Sequence, residues 1–359
     1  MLRVVIAAGG TAGHVVPALA VAERLRAAGA EVSFVGGERA EAELVPAAGY
    51  ELRPIRVEGL SRTNPLRAAR ALLRAGAAVG AAHRILADLR PAAVLGGGGY
   101  VAGPVGLAAL ARRIPLVLTE ADSHLGITNR LLAPRARRVC LAFAIEGRSG
   151  GRYVVTGRPV PAPATDAAAA RARFALDPDD DCVLVFGGSL GSRTINEAAV
   201  EAFRAAPFRV LHAAGTRDHA ALAPRVDGAH YDLRPYIDDF GEALAACDLC
   251  VARAGGSIFE IAAAGKPAIL VPYPHASADH QTANARWMAD AGAAIVVPDG
   301  ELTAARLGSE VGALLGDRSR LAAMASASAA LARPDAAQAV ADAVLAAAST
   351  RRPARAGGR

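Results

Sequence analysis

Short apolar runs alternate with longer amphipathic stretches along this chain, and the alternation runs through twice. Leu2–Ala7, Glu31–Val35, Ala92–Leu95, Pro115–Thr119 and Arg138–Leu141 read as buried strands. Val15–Ala28, Glu38–Ala48, Pro65–Leu89 and Gly103–Arg112 lie between them and read as helices. Strand, helix and strand in this order predict a parallel sheet with helices on both faces, because a parallel crossover needs a helix-length connection. The pattern then restarts. Cys182–Phe186, Phe208–His212, Ala229–Leu233, Leu249–Ala252, Ala268–Val271 and Ala294–Val297 are the second set of strands. Thr194–Phe203, Asp239–Ala246, Ser257–Ala264 and His280–Asp290 are the second set of helices. Between the sets, the prolines of Gly157-Arg158-Pro159-Val160-Pro161-Ala162-Pro163 continue neither kind of element. Two α/β domains are therefore expected, at 1–157 and 158–345. A C-terminal helix is expected from about Arg318 to Ala347, with a disordered tail drawn at 346–359.

The length of 359 residues allows two such domains, and a chain of this size buries about three quarters of its unfolded surface without disulfide or metal staples. The longest uncharged stretch, Pro91 to Ala111, is broken by Gly96–Gly99 and Pro104, so it does not read as a membrane span. The first residues enter a strand pattern directly, so no export signal is expected. Four scattered cysteines fit a reducing cytoplasm; Cys247-x-x-Cys250 has no second pair and reads as core packing. The net charge of +6 is uneven. Residues 1–157 hold 20 arginines against 11 acids, whereas the remainder is slightly acidic. An anionic partner would meet the first half.

Four glycine-rich loops follow strands and precede helices: Gly9-Gly10-Thr11-Ala12-Gly13-His14, Gly96-Gly97-Gly98-Gly99-Tyr100, Gly187-Gly188-Ser189-Leu190-Gly191-Ser192 and Arg253-Ala254-Gly255-Gly256-Ser257. Glycine lets a backbone approach a ligand, and the helix that follows offers N–H groups and a positive dipole end to a phosphate. Tight turns use glycine anyway, so one loop says little. Four, two per half, point to a ligand site between two sheets. None ends in Gly-Lys-Ser/Thr. Gly97-x-Gly99-x-x-Ala102, with Glu120 further on, also fits a loose dinucleotide pattern, which leaves an NAD-type reading open.

The loops in this order resemble the MurG family of glycosyltransferase family 28. Further matches are Tyr236-Ile237-Asp238-Asp239, Arg253 to Pro267 and Asp279-His280-Gln281-Thr282-Ala283-Asn284-Ala285. The resemblance implies a GT-B fold of two Rossmann-like parallel-sheet domains, with the C-terminal helix returning to the first. It implies transfer of GlcNAc from UDP-GlcNAc to lipid I, a polyprenyl-diphosphate acceptor, at the cytoplasmic face of an anionic membrane. It implies no cofactor, no metal and no nucleic acid. The acceptor side would use Thr11, Ala12, Gly13, Tyr100, Asp122 and Asn129. The donor side would use Ser189 on the pyrophosphate, Ile237 near the uracil, Gly256, Ser257, and Glu260 on the ribose hydroxyls. His280, Gln281 and Asn284 would contact the sugar. Another lipid glycosyltransferase, a UDP-GlcNAc epimerase and a non-catalytic sugar-nucleotide scaffold are the alternatives.

His14, Glu120 and Asp122 are the candidate bases, and an imidazole near neutral pKa suits the removal of a hydroxyl proton. Three departures from the family pattern stand out. Glu120-Ala121-Asp122 replaces Glu-Gln-Asn. Gly157-Arg158-Pro159-Val160-Pro161 replaces Gly-Asn-Pro-Val-Arg. The segment before Glu260 is one residue short.

Overall fold

The structure, a computed structural model, describes residues 1–57, 65–188, 190–226, 228–276 and 279–349, with the backbone alone over 65–75. The chain divides into two compact units, Met1–Val160 together with the segment from Arg333 onward, and Pro161–Ala332.

The first unit runs β1 (Leu2–Ala7), α1 (Ala12–Ala27), β2 (Ala30–Gly36), α2 (Ala40–Ala47), β3 (Glu51–Pro54), α3 (Pro65–Leu89), β4 (Ala93–Gly96), α4 (Ala102–Ala111), β5 (Leu116–Glu120), α5 (Ile127–Leu132), β6 (Arg138–Leu141) and β7 (Tyr153–Val155). Its sheet is parallel, in the order β3-β2-β1-β4-β5-β6-β7. The central strands are largely apolar because both faces are covered. Val4 and Ile6 of β1 pack with Val15, Val21 and Leu25 of α1. Val5 and Ala7 point the other way, to Leu86 of α3 and Val105 of α4. A two-residue period thus fills two cores from one strand.

The second unit runs α6 (Ala167–Arg173), β8 (Cys182–Phe186), α7 (Arg193–Ala202), β9 (Arg209–Ala213), α8 (His219–Leu222), β10 (Tyr231–Arg234), α9 (Phe240–Ala246), β11 (Leu249–Ala252), α10 (Ile258–Ala263), β12 (Ala268–Leu270), α11 (His280–Asp290), β13 (Ala294–Val296), α12 (Ala304–Gly316) and α13 (Arg318–Leu331). Its parallel sheet has the order β10-β9-β8-β11-β12-β13.

The C-terminal part differs from expectation. The single helix over Arg318 to Ala347 is two, α13 and α14 (Ala336–Ser349). Ala332 is extended at φ −60° and ψ 143°, and Pro334 cannot continue a helix. α13 belongs to the second unit. α14 returns to the first, where Val340, Ala341 and Val344 are fully buried against the α1 face of the sheet. The expected second-domain limit at 345 therefore moves to Ala332, and Ala346 to Ser349 are helical rather than part of a tail. The edge strands β3 and β7 were not expected. They are four and three residues long and largely exposed, too short to show an apolar period.

Candidate active site

In each sheet the strand order reverses at one place, between β1 and β4 in the first and between β8 and β11 in the second. Chains leaving the two strands at such a point turn to opposite faces and open a ligand crevice beyond the carboxyl ends. The four glycine loops leave β1, β4, β8 and β11.

In the first unit the loops are joined by an acid that the sequence did not single out. Glu41 of α2 is completely buried. One carboxylate oxygen accepts from the Gly10 N–H at 2.8 Å; the other accepts from the Gly37 N–H at 2.8 Å and the Tyr100 hydroxyl at 2.9 Å. Burial alone would raise its pKa. The hydrogen bonds from Gly10, Tyr100 and Gly37 outweigh burial and hold the carboxyl below its ordinary value. Burial and the bond to Glu41 push the Tyr100 phenol up to about 12. Tyr100, expected on the acceptor, thus spends its hydroxyl as a strut between the two loops. A Glu in the first turn of a helix is common, and no spacing distinguishes this one.

Thr11 is the N-cap residue of α1 and makes no side-chain cap bond. Thr11 and Gly13 are exposed, Ala12 is partly so, and His14 is partly buried. The His14 Nδ1 edge lies where a Cβ on Gly98 would stand, 2.7 Å away, so position 98 tolerates no side chain, and Gly98 itself has φ +101°. The Arg158 guanidinium donates to the Gly13 carbonyl beside His14. Burial, and next the Arg158 charge, hold the His14 pKa below 6.5; Asp122 and Glu41 act in the opposite sense.

Glu120 is not placed as a free base. One oxygen accepts from the Ala121 N–H at 3.0 Å and the Asp122 N–H at 3.2 Å. The other accepts from the Gly126 N–H and the Asn129 amide at 2.8 and 2.9 Å. With both oxygens taken up by these donors, Glu120 holds the loop that carries Asp122. The same bonds occupy the acid that an NAD-type site would need for a ribose. Asn129, expected on the acceptor, gives its NH2 to Glu120 and to the Thr119 carbonyl. Of the candidate bases, His14 and Asp122 remain.

In the second unit Ser189 lies outside the described residues. Ser192 caps the helix that follows: its hydroxyl accepts from the Ile195 N–H at the start of α7. Gly191 has φ +72°, and a Cβ there would stand 2.0 Å from the Ala214 carbonyl oxygen, which seats this loop on the one after β9. A buried chain supports both. Tyr231 donates to His212 Nδ1 at 2.8 Å, His212 Nε2 bonds the Asn196 carbonyl oxygen at 3.0 Å, and the Asn196 amide donates to Ala214 and Asp218. Burial drives the His212 pKa down to about 3, so it is neutral.

Ile237 is buried. Gly256 and Ser257 lead into α10, and Glu260 stands partly buried in its first turn. His280 opens α11. Gln281 accepts from the Tyr273 N–H at 2.9 Å, and its Nε2 lies 3.9 Å from the Cβ position of Gly255. Asn284, expected to face the sugar beside Gln281, is turned inward instead. Its amide donates to the Ala254 carbonyl at 2.9 Å and it is 3% exposed. Three residues apart on α11, the two side chains take different partners, Gln281 the Tyr273 N–H and Asn284 the Ala254 carbonyl. Arg253 is likewise structural, pairing with Asp299 at 2.5 Å and donating to the Val271 and Pro272 carbonyls. Cys247 and Cys250 are buried, with sulfurs 3.7 Å apart. Among the described residues no group of three or more His, Cys, Asp or Glu could hold a metal ion.

Two parallel Rossmann-like sheets, each with glycine loops at its switch point, define the GT-B class of glycosyltransferase fold. The chain belongs to glycosyltransferase family 28: residues 4–141 match the family's N-terminal domain and residues 182–340 its C-terminal domain. Within it, the chain belongs to the MurG family. It is 41% identical over 349 residues to the UDP-N-acetylglucosamine--N-acetylmuramyl-(pentapeptide) pyrophosphoryl-undecaprenol N-acetylglucosamine transferase of Moorella thermoacetica, across 91% of this chain and 94% of the relative. The crystal structure of Acinetobacter baumannii MurG matches with a TM-score of 0.75 at 31% identity, over 96% of this chain and 100% of that one. A UDP-GlcNAc 2-epimerase from Neisseria meningitidis, solved with UDP-GlcNAc bound, has a TM-score of 0.69 but 14% identity, a likeness of fold alone.

Proposed function

We propose that the chain moves GlcNAc from UDP-GlcNAc to the C4 hydroxyl of MurNAc in undecaprenyl-diphospho-MurNAc-pentapeptide, lipid I, giving lipid II and UDP in peptidoglycan synthesis. The observation that carries this is identity of 41%, across 91% of the chain, to a transferase of that name. The arrangement of the first unit fits the chemistry. A neutral His14 takes the hydroxyl proton at its Nε2 edge as the oxygen attacks the anomeric carbon, and inversion follows from a single displacement. Asp122 stabilises the imidazolium that forms. On the donor side the α7 N-terminus and its glycine loop, with Ser189, meet the leaving diphosphate, whose charge backbone N–H groups and the helix dipole lower in energy. Glu260 takes the ribose hydroxyls, Ile237 the uracil and Gln281 the sugar.

The acceptor's polyprenyl tail requires a membrane surface. Among the described residues no helix is long and apolar enough to cross a membrane. Peripheral docking at the cytoplasmic face is supported by α5, which follows the loop held by Glu120. Ile127 and Leu131 are 62% and 69% exposed there, beside the exposed Arg130, Arg135, Arg137 and Arg138.

The deciding experiment incubates the protein with labelled UDP-GlcNAc and a lipid I analogue. A β-1,4-linked disaccharide product is expected. A changed sugar nucleotide formed without acceptor would mark an epimerase, and binding with no product would mark a scaffold.

A further inference from the structure

We propose that Arg158, on the segment joining the two units, is a positioning residue for the candidate base: its guanidinium, held on the Gly13 carbonyl, fixes the first turn of α1 and keeps a positive charge beside the His14 imidazole. The proposal rests on the reading of His14 as base, and it concerns a residue that the family pattern does not offer, since Asn stands at this place in the motif.

The route of the chain makes the contact possible. Thr156 and Gly157 both donate their N–H groups to the Leu141 carbonyl, at 3.0 and 3.2 Å, which draws the chain off the end of β7 and across the end of β6. A Cβ on Gly157 would stand 2.6 Å from that of Arg333, where the chain returns to the first unit. Arg158 leaves this crossing and reaches Gly13, 145 residues away in sequence. Gly13 is the residue before His14, so the guanidinium ties the base's own peptide to the joining segment.

The charged groups facing His14 come from three further places. Asp122 sits on the loop after β5, Glu41 on α2 and Arg158 on the joining segment; Tyr100, on the loop after β4, is a neutral phenol. The two acids favour the imidazolium and Arg158 disfavours it. Without Arg158, burial alone would oppose the two carboxylates, and the imidazole would hold its proton to higher pH. A protonated imidazole cannot accept the hydroxyl proton. Arg158 therefore keeps the base in its working form in the presence of acids, which also stabilise the imidazolium once it has formed.

The test combines two readouts on Arg158→Asn, Arg158→Gln and Arg158→Lys. The first is an NMR titration of the His14 ring in the unliganded protein, its signal identified by loss in His14→Gln. The second is the pH profile of kcat/KM for transfer. The Asn and Gln variants are expected to titrate His14 at higher pH than wild type. They should lose about three- to ten-fold of kcat/KM at pH about 6, with most of it kept at pH about 8, the effect of one unit charge in a partly screened site. Arg158→Lys, which keeps the charge, is expected to restore both. A His14 titration unmoved in the Asn and Gln variants overturns the proposal, whatever the activity. A titration that moves in a protein forming no disaccharide leaves the placement of Arg158 standing and removes the transferase reading instead.

Discussion

Replacing Glu41 by Gln removes a charge that the Gly10 and Gly37 N–H groups and the Tyr100 hydroxyl share. The loss is expected to cost about 1–3 kcal/mol of stability at neutral pH, the scale for disturbing a buried hydrogen-bonded acceptor. A carboxyl whose folded pKa lies below its unfolded value stabilises the fold above the unfolded pKa, and that contribution is lost as pH falls through the folded one. Urea unfolding should therefore show the gap between wild type and Glu41→Gln closing below the ordinary glutamate value of 4.5. A gap that does not change with pH would show that the carboxyl is not depressed. Asp122 calls for a different measurement. Its charge raises the His14 pKa, so Asp122→Asn is expected to move the acid limb of the activity profile to lower pH with turnover kept within about ten-fold. A fall of about 100- to 10,000-fold would make Asp122 the base. His14 was legible as a candidate because a titratable group in a glycine loop is conspicuous. Glu41 was not, because its partners come from loops 4 to 59 residues away.

At the scale of elements, α14 is a first-unit helix that the chain delivers only after building the second unit. Removing the chain from Arg333 onward uncovers the sheet face on which Val340 and Val344 are fully buried. At about 1.5–3 kcal/mol for each large apolar side chain, the first unit loses several kcal/mol, a large part of a domain's stability. The truncated chain is expected to be insoluble or to melt in a separate early transition. Melting like the full chain would show that α14 is dispensable. Helix α10 supplies another test. Glu260→Ala is expected to weaken UDP-GlcNAc binding by about 1–3 kcal/mol in titration calorimetry, the loss that the proposed ribose role entails. An unchanged affinity would leave Glu260 as an acid complementing the helix dipole. Most elements could be read because buried parallel strands and amphipathic helices have distinct periods. The break at Pro334 was missed because the alanine-rich period runs on either side of it, and β3 and β7 because they are only four and three residues long and largely exposed.

For the whole molecule, the charge excess of the first 157 residues is the widest feature. Its tests belong with α5, since residues 58–64 lie outside the described residues and side chains up to 75 are likewise undescribed. Among residues 76–90, Leu86 is core and Ile85 packs against it, while Arg84 and Arg90 are exposed. Basic residues near an anionic leaflet contribute about 1 kcal/mol each, and exposed apolar side chains beside them insert shallowly. Co-sedimentation with vesicles is expected to require anionic lipid. It should weaken as the Debye length falls from about 10 Å at 0.1 M salt to about 3 Å at 1 M. It should also drop in the triple variant Arg130→Glu, Arg135→Glu, Arg137→Glu. Binding indifferent to lipid charge, to salt and to these changes would rule out electrostatic docking.

Periodicity and the order of the glycine loops were enough to establish two parallel-sheet units, the family and the residues at the loops, because each is a local property of consecutive residues. Which of the candidate side chains are tied up within the fold was decided by tertiary structure. Glu120 and Asn284 read as ligand-facing until packing supplied them with donors and carbonyls of their own. Glu41 carried no local signal and Arg158 only a departure from the family motif; both gained their places from contacts 31 and 145 residues apart. A hydrogen bond depends on where two groups lie in space, and for groups this far apart along the chain the fold alone determines that.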